Sequence, residues 1–383
     1  MAKEVKMVME IVRTLKIKLN INQEEKNMIN STLEAFLKAL NYASQVAFNN
    51  GEITNKPKLQ KLVYDDLRTK FNLKSQMAVN TCTTVCSSYV TQHSNKVFNS
   101  LAVYKSPKAI YSYGRDYSFL NDGQTISINT IAKRIKVHFK VNNYFKKYLT
   151  KEWSFGSLEI VERENSYYAH ITVSKEVQEK PLNEFKNIIG IDLGQNFIAT
   201  FYDSKGKIKF FKGRYLKDMR AKYTRLRKQL QRKGTYNAHK KIVTINQREQ
   251  RTMTYINHKI SKEIVEYAKQ NNAIIAMENL TGINLSCKVK KDNRYYRVSW
   301  AFNQLQQFIE YKAVQAGLKV IYINPKYTSQ TCPICGHIHK DNRNKKLHIF
   351  KCRACGCTLN DDLIGAKNIQ HKGYDEKVKL ETA

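Results

Sequence analysis

Four cysteines in two short pairs constrain this chain more than any other feature. Cys332-Pro-Ile-Cys335 and Cys352-Arg-Ala-Cys355 stand 16 residues apart. For the four thiolates to meet, the segment between them must fold back on itself, and the result is a closed tetrahedral zinc site. Gly336 and Gly356 follow the two pairs, which lets the backbone turn its amides toward the sulfurs. Four protein ligands leave no open position, so such a zinc is structural. Cys287 and Cys357 are left over, and His337, His339 and His348 stand near enough in sequence to substitute as ligands. Cys82 and Cys86 are four apart on one helical face, a spacing that could bind a metal, but free cysteine usually packs as a small buried hydrophobe and core packing is expected.

A second pattern is a set of acids at element ends. The stretch Ile188-Ile189-Gly190-Ile191-Asp192-Leu193-Gly194 is an apolar run, one acid, then a glycine turn, which is how a buried strand carrying a terminal carboxylate reads. Glu278 ends another apolar strand, 273–278, and Asp361-Asp362 precedes Leu363-Ile364-Gly365-Ala366. From residue 187 the periodicity predicts strands 187–193, 196–203 and 207–212, helices 214–231 and 245–271, strand 273–278, helix 299–316 and strand 318–323. That order is a mixed α/β core of the ribonuclease-H kind. Asp192, Glu278 and Asp362 then have the residue types that hold a pair of Mg²⁺ or Mn²⁺ for phosphodiester hydrolysis.

The front half has a different grain. Leu15, Ile17 and Leu19 alternate with lysines as a half-buried strand, and Asn22 with Glu25 marks a helix start for a stripe running to about Asn50. Lys56-Pro57 and Ser75 open two more helices. Residues 108–175 then read as strands, with Asn121-Asp122-Gly123 a hairpin turn and a second hairpin across 162–166. Together these predict a β-barrel or sandwich with the helices of 22–105 inserted. Its tyrosines and lysines suit stacked bases and phosphates, and equally suit ordinary surface strands.

Charge narrows the partner. The chain carries 66 Lys and Arg against 32 Asp and Glu, a net of +34. Such an excess opposes compaction unless a polyanion is bound, so nucleic acid is the expected partner. Residues 205–260 hold 18 Lys or Arg and two acids, Asp218 and Glu249. Arg214, Lys217, Arg220, Arg225, Arg227 and Lys228 are the candidate nucleic-acid contacts, because a merely solvated face usually mixes signs. The basic loop 285–298 fits a cover over the site, a strand contact or plain solvent exposure. Residues 371–383 read as a frayed tail. No apolar run approaches the ~20 residues of a membrane span, and residues 1–20 are too charged for a signal peptide. An intracellular protein is expected.

The motifs resemble the TnpB family, transposon-encoded RNA-guided nucleases with a RuvC-like domain, ancestral to type V CRISPR effectors. The matching text is Gly190-Ile191-Asp192-Leu193-Gly194, Met277-Glu278-Asn279-Leu280, Pro325-Lys326-Tyr327-Thr328-Ser329-Gln330-Thr331-Cys332 and Ala366-Lys367-Asn368-Ile369. The resemblance implies a multidomain α+β chain. Residues 1–21 and 106–180 would be a wedge-like β-barrel and 22–105 a helical recognition lobe. Residues 187–329 and 359–370 would be a RuvC-like, RNase H-like α/β domain, and 330–358 its inserted zinc ribbon. It implies that Asp192, Glu278 and Asp362 are the catalytic metal ligands, with Asp362 favoured over Asp361 by alignment on Ala366-Lys367-Asn368-Ile369. The family's last acid commonly sits in Asp-x-Asn-Ala, whereas this chain has Asp362-Leu363-Ile364-Gly365. The implied activity is cleavage of double-stranded DNA beside a short adjacent motif, directed by a guide RNA from the transposon end, in the cytoplasm at the nucleoid. A compact type V CRISPR effector and a guide-dependent DNA-binding repressor are the alternative readings. A self-acting transposase is disfavoured, since no HUH-type histidine pair with a nucleophilic tyrosine is evident.

Overall fold

The structure is a computed structural model that describes residues 8–120, 123–163, 166–178, 180–194, 197–279, 302–344 and 347–382. The chain divides into two compact units, Glu10–Glu176 and Val177–Ala383 with Met1–Met9. The loop 285–298 with Cys287 lies outside the described residues, as do Asn121 and Asp122 of the predicted hairpin turn.

The first unit begins with β1 (Val8–Asn20), followed by α1 (Gln23–Asn49), α2 (Lys56–Thr69) and α3 (Ser75–Ser94). Asn22 Oδ1 accepts from Glu25 N at 2.9 Å, and Glu25 Oε2 accepts from Asn22 N at 2.9 Å, so the predicted start of α1 is a reciprocal cap. Then come β2 (Ala109–Ser112), β3 (Tyr117–Phe119), β4 (Thr125–Asn129), β5 (Arg134–Phe139), the one-turn α4 (Asn143–Lys146), β6 (Ser154–Arg163) and β7 (Ser166–Gln178). The seven strands form one sheet in the order β2-β6-β7-β1-β5-β4-β3. An isolated bridge between Tyr113 and Tyr117 brings the backbone beside β2, at one sheet edge, against β3 at the other. The helices expected as an insertion at 22–105 follow β1 and precede β2. Phe36, Leu59, Val63, Met77 and Val85 share one continuous core with Tyr111, Ile126, Val137 and Ile160 of the strands. Cys82 and Cys86 are buried in that core, as a small hydrophobe would be.

The second unit is built on β8 (Asn187–Asp192), β9 (Phe197–Asp203), β10 (Ile208–Lys212), α5 (Arg214–Lys233), α6 (Tyr236–Gln270), β11 (Ala273–Glu278), α7 (Phe302–Gln315) and β12 (Val320–Ile323). Helix α6 starts nine residues before the predicted 245. Gly234 in the left-handed region ends α5, and Thr235 caps the new helix by accepting from Ala238 N at 3.2 Å. The sheet order is β10-β9-β8-β11-β12, with β8, β11 and β12 parallel and β9 antiparallel to both its neighbours, β8 and β10. The chain continues through β13 (Arg343–Asn344), β14 (Ile349–Lys351) and β15 (Thr358–Asn360), a small three-stranded sheet, into α8 (Asp361–Thr382).

Helix α8 lies on the sheet with almost no side-chain layer between backbones. A Cβ at Gly190 of β8 would sit 2.2 Å from Ala366 O and 2.4 Å from Gln370 N. A Cβ at Gly373 of α8 would sit 2.6 Å from Ala276 Cβ of β11 and 3.3 Å from Ile188 Cγ2. Residues 371–382, expected as a frayed tail, therefore belong to this helix, and Lys377 Nζ donates to Phe185 O at 2.9 Å. Strand side chains alternate between faces. Ile188, Gly190 and Ala276 meet α8, so Asp192 and Glu278, at even spacing from them, emerge on the same face.

Gly190→Ala is expected to destabilise the second unit by about 3 kcal/mol or more, because both atoms met are backbone that cannot rotate away. Denaturant unfolding checks it, and wild-type stability in the variant contradicts this packing.

Candidate active site and zinc centre

The parallel pairing of β8 and β11 sets Ile191 opposite Met277, which brings Asp192 and Glu278 side by side at the carboxyl ends of adjacent strands. Both are half-buried. The third acid comes from the start of α8. Asn360 Oδ1 accepts from Asp362 N at 3.0 Å and from Leu363 N at 3.2 Å, a cap that starts the helix at this point. Carboxylates in a first turn also face the positive end of the helix dipole. Gly365, one turn on, makes room for Asp192: a Cβ there would meet Asp192 Oδ2 at 2.6 Å. Asp362 Oδ1 lies 3.4 Å from where a Cβ of Gly194 would be, two residues after the β8 acid.

The two neighbouring aspartates have different partners. Asp361 is fully buried and accepts from Arg343 Nε at 2.8 Å, with His348 Nδ1 3.6 Å away. Asp362 stands 4.0 Å from Arg343 Nη2, and its Oδ2 is buried with no hydrogen-bond partner. Burial pushes the Asp192 carboxyl well above its ordinary range, and Glu278 and Asp362 push it further. Burial also raises Asp362, to about 6, with the neighbouring Asp361 adding to it and Arg343 opposing. Glu278 is raised by burial against the pull of Thr328, Lys372 and Arg343. An oxygen-only donor set on three elements, mutually repelling and with one orphaned buried oxygen, fits hard divalent cations such as Mg²⁺ or Mn²⁺.

Several residues at this site escaped the reading from sequence. Thr328 Oγ1 donates to Glu278 Oε1 at 2.5 Å, and Asn368 Nδ2 donates to Thr328 O at 2.7 Å. Lys372 Nζ donates to Lys326 O at 2.6 Å and Asn324 O at 3.1 Å. Thr328 and Asn368 lie in the stretches that carried the family resemblance, which was the signal available. Arg343 had none, since nothing in its neighbourhood of sequence points to an acid 18 residues on.

The cysteine pairs meet as predicted. The Sγ atoms of Cys332, Cys335, Cys352 and Cys355 all lie within 4.8 Å of one another. Each knuckle has the same backbone: Gly336 N donates to Cys332 O and Gly356 N to Cys352 O, both at 3.0 Å, and both glycines have φ of 72°. That conformation favours glycine. Tetrahedral zinc with Zn–S of ~2.3 Å needs sulfurs ~3.8 Å apart, and here Cys332–Cys355 stand 3.6 Å apart and Cys335–Cys352 3.5 Å. Phe350 and Ile364 of α8 complete a small core around the buried Cys332 and Cys352.

The basic helix needs correction. Arg214, Lys217, Arg225 and Lys228 are exposed along α5. Arg220 is 3% exposed, and its Nε donates to Glu249 Oε1 at 3.1 Å; Arg227 Nη1 donates to Glu249 Oε2 at 2.5 Å. These two arginines clamp α5 onto α6, Arg220 buried and Arg227 half-buried, with their guanidinium groups turned to Glu249. Sequestering Glu249 leaves Asp218 as the exposed acid of the segment 205–260. Tyr215 and Tyr236 are both 72% exposed, with Lys240 Nζ 4.6 Å from the Tyr236 ring centroid.

Comparison with known proteins agrees with this architecture. A family model described as "Cas12f1-like, TNB domain" matches residues 302–369, and one described as "Probable transposase" matches 170–284. A TnpB-like protein of Methanocaldococcus jannaschii is 32% identical over 273 residues, 67% of this chain and 94% of that protein. The chain belongs to the TnpB-like family. This TnpB-like chain is also 34% identical over 244 residues to the CRISPR-associated endodeoxyribonuclease Cas12f1 of Sulfoacidibacillus thermotolerans, 60% of the chain and 56% of that protein. It thus spans little more than half the length of that relative. The solved structure of the mini-RNA-guided endonuclease CRISPR-Cas phi3 superposes with a TM-score of 0.53 at 11% identity, over 96% of this chain and 92% of that one, a likeness of fold. No helix among the described residues is long and apolar enough to cross a membrane.

Two outcomes follow. Glu249→Ala removes the carboxylate that two arginines share and is expected to cost about 3 kcal/mol, whereas Lys217→Ala stays within about 0.5 kcal/mol; denaturant unfolding separates them. Second, each raised carboxylate binds more protons folded than unfolded, so it lowers stability as pH rises. For zinc-loaded protein without Mg²⁺, the melting temperature attributable to Asp362 falls from near its ordinary pKa of 3.8 to beyond about 6. Asp362→Asn or added Mg²⁺ flattens that slope, and identical pH profiles for wild type and Asp362→Asn contradict it.

Proposed function

We propose that the chain is an RNA-guided DNA endonuclease that hydrolyses phosphodiester bonds at one RuvC-like site. The observation that carries this is the convergence of Asp192, Glu278 and Asp362 from β8, β11 and α8 in a TnpB-like chain. The relatives' names point the same way, Cas12f1 being called an endodeoxyribonuclease. Asp192, Glu278 and Asp362 would hold Mg²⁺ or Mn²⁺, Asp361 would instead anchor Arg343, and the four cysteines would hold a structural zinc. Bound divalent cations supply an activated water and charge stabilisation at the leaving oxygen. Arg343 screens the paired aspartates and keeps α8's first turn in place. The exposed Arg214, Lys217, Arg225 and Lys228 would bind backbone phosphates, with the partner's sequence read by base pairing.

In this reading the guide is RNA from the transposon end and the target is double-stranded DNA beside a short adjacent motif, met at the nucleoid in the cytoplasm. The first unit, a wedge-like barrel packed with helices, would serve recognition, and the second would be the nuclease with its zinc ribbon. The match of 302–369 to a Cas12f1-like domain favours one further reading, a compact type V effector whose guide comes from a CRISPR array. The origin of the bound RNA separates the two. A guide-dependent repressor without cleavage would not require three converging carboxylates.

Purified with its native genomic flanks, the protein is expected to carry one abundant RNA ending in variable flanking sequence, resistant to high-salt washing. That complex should cut matching DNA with Mg²⁺, and Asp192→Ala or Glu278→Ala should reduce cutting to background. Wild-type cutting by either variant overturns the metal assignment; no discrete RNA overturns guidance.

A further inference from the structure

We propose that Thr328 is a positioning residue that orients Glu278 for a divalent cation, and that Asn368 of α8 sets where Thr328 stands. This rests on the reading of Glu278 as a cation ligand.

The backbone of Glu278 is fixed independently of its side chain. Gln306 Nε2 of α7 donates to Glu278 O at 2.7 Å, and Asn279 N donates to Ile323 O of β12 at 3.0 Å. What remains free is the carboxylate's rotation, and Thr328 is placed to stop it. Thr328 is 3% exposed, and its Oγ1 lies 2.5 Å from Glu278 Oε1 and 2.9 Å from Pro325 O. A hydroxyl has one proton to donate, and a carboxylate is the stronger acceptor, so Oε1 takes it and Oε2 is left for the ion. A ligand whose second oxygen is held this way needs less ordering when the ion arrives.

The loop that carries Thr328 is held from one side by α8. Asn368 Nδ2 donates to Thr328 O at 2.7 Å and to Thr331 O at 2.8 Å; one turn on, Lys372 Nζ grips Lys326 O and Asn324 O. Tyr327, directly before Thr328, has φ of 66°, a conformation that bulky residues keep only where surroundings over-determine the backbone. Four carbonyls of one loop are thus tied to the same helix that presents Asp362. Helix α8 would therefore position the site twice, contributing one acid directly and orienting a second through Asn368 and Thr328.

The test uses the zinc-loaded full chain and Mn²⁺ alone, with no guide or DNA, and reads free Mn²⁺ by electron paramagnetic resonance. Thr328→Val keeps the shape and removes the hydroxyl, and it is expected to weaken Mn²⁺ binding about tenfold. Thr328→Ser restores the hydroxyl and should bind within about twofold of wild type. Wild-type affinity in Thr328→Val overturns the proposal, as does an equal loss in Thr328→Ser, which would mean a packing role. Melting temperature and zinc content report folding. If Thr328→Val does not fold, Asn368→Ala decides: weakened Mn²⁺ binding with zinc retained supports the proposal, and unchanged binding overturns it. Absence of Asp192-dependent Mn²⁺ binding in the wild type overturns it together with the ligand reading. Failure of DNA cleavage by a chain that binds Mn²⁺ overturns the function alone.

Discussion

The contact on which the second unit depends is the seat of α8 on β8 at Gly190. Helix and strand meet there backbone to backbone, with no side chain as a spacer. Elsewhere in the sheet, large apolar residues such as Ile189 and Ile275, on the face away from α8, are buried in the core, and a buried side chain of that size contributes roughly 1.5–3 kcal/mol. At Gly190 and Gly373 the gain is of another kind. The close approach fixes a distance, and that distance brings the first turn of α8 within reach of the acid at the end of β8. Gly365 repeats the device within the site, where the room left by a missing Cβ is taken by the Asp192 carboxylate.

Against that fixed geometry, the electrostatics run uphill. Asp192, Glu278 and Asp362 are raised by burial, and Asp192 and Asp362 by carboxylate neighbours as well, while Arg343 and Lys372 compensate only in part. Such an arrangement is unfavourable for folding by itself, which is typical of a site organised for a ligand rather than for stability. The stability comes from elsewhere: the sheet core, the Glu249 clamp between α5 and α6, and the cysteine-bound ribbon packed on Ile364.

What was legible in the sequence follows from how far each signal reaches. The strands ending in Asp192 and Glu278 were readable because buried parallel strands are apolar runs with abrupt ends, and the knuckles because ligand spacing is local. The cap at Asn22 and Glu25 is equally local. Long-range partners were not readable. Arg220 and Arg227 sit among exposed cations on α5, and what distinguishes them is Glu249, 22 or more residues away. The end of α8 looked like a tail because His371-Lys372-Gly373 has no apolar stripe; a helix that packs through glycine leaves no hydrophobic period to detect. The insertion of helices at 22–105 was readable from a change in periodicity, but periodicity does not report that the two element types share a core.

The ribbon between Cys332 and Asn360 begins and ends on the same two turns of α8. Asn368 holds Thr331 O at its start, and Asn360 caps Asp362 at its finish. The segment is thus closed at its base before its contents matter. A loop closed in this way tolerates changes of length and sequence at small entropic cost. The base of the ribbon is accordingly a graft point: a longer or shorter module joined at Thr331 and Asn360 leaves the spacing of the acids as it is, provided it returns an arginine to Asp361 and an apolar cover to Ile364.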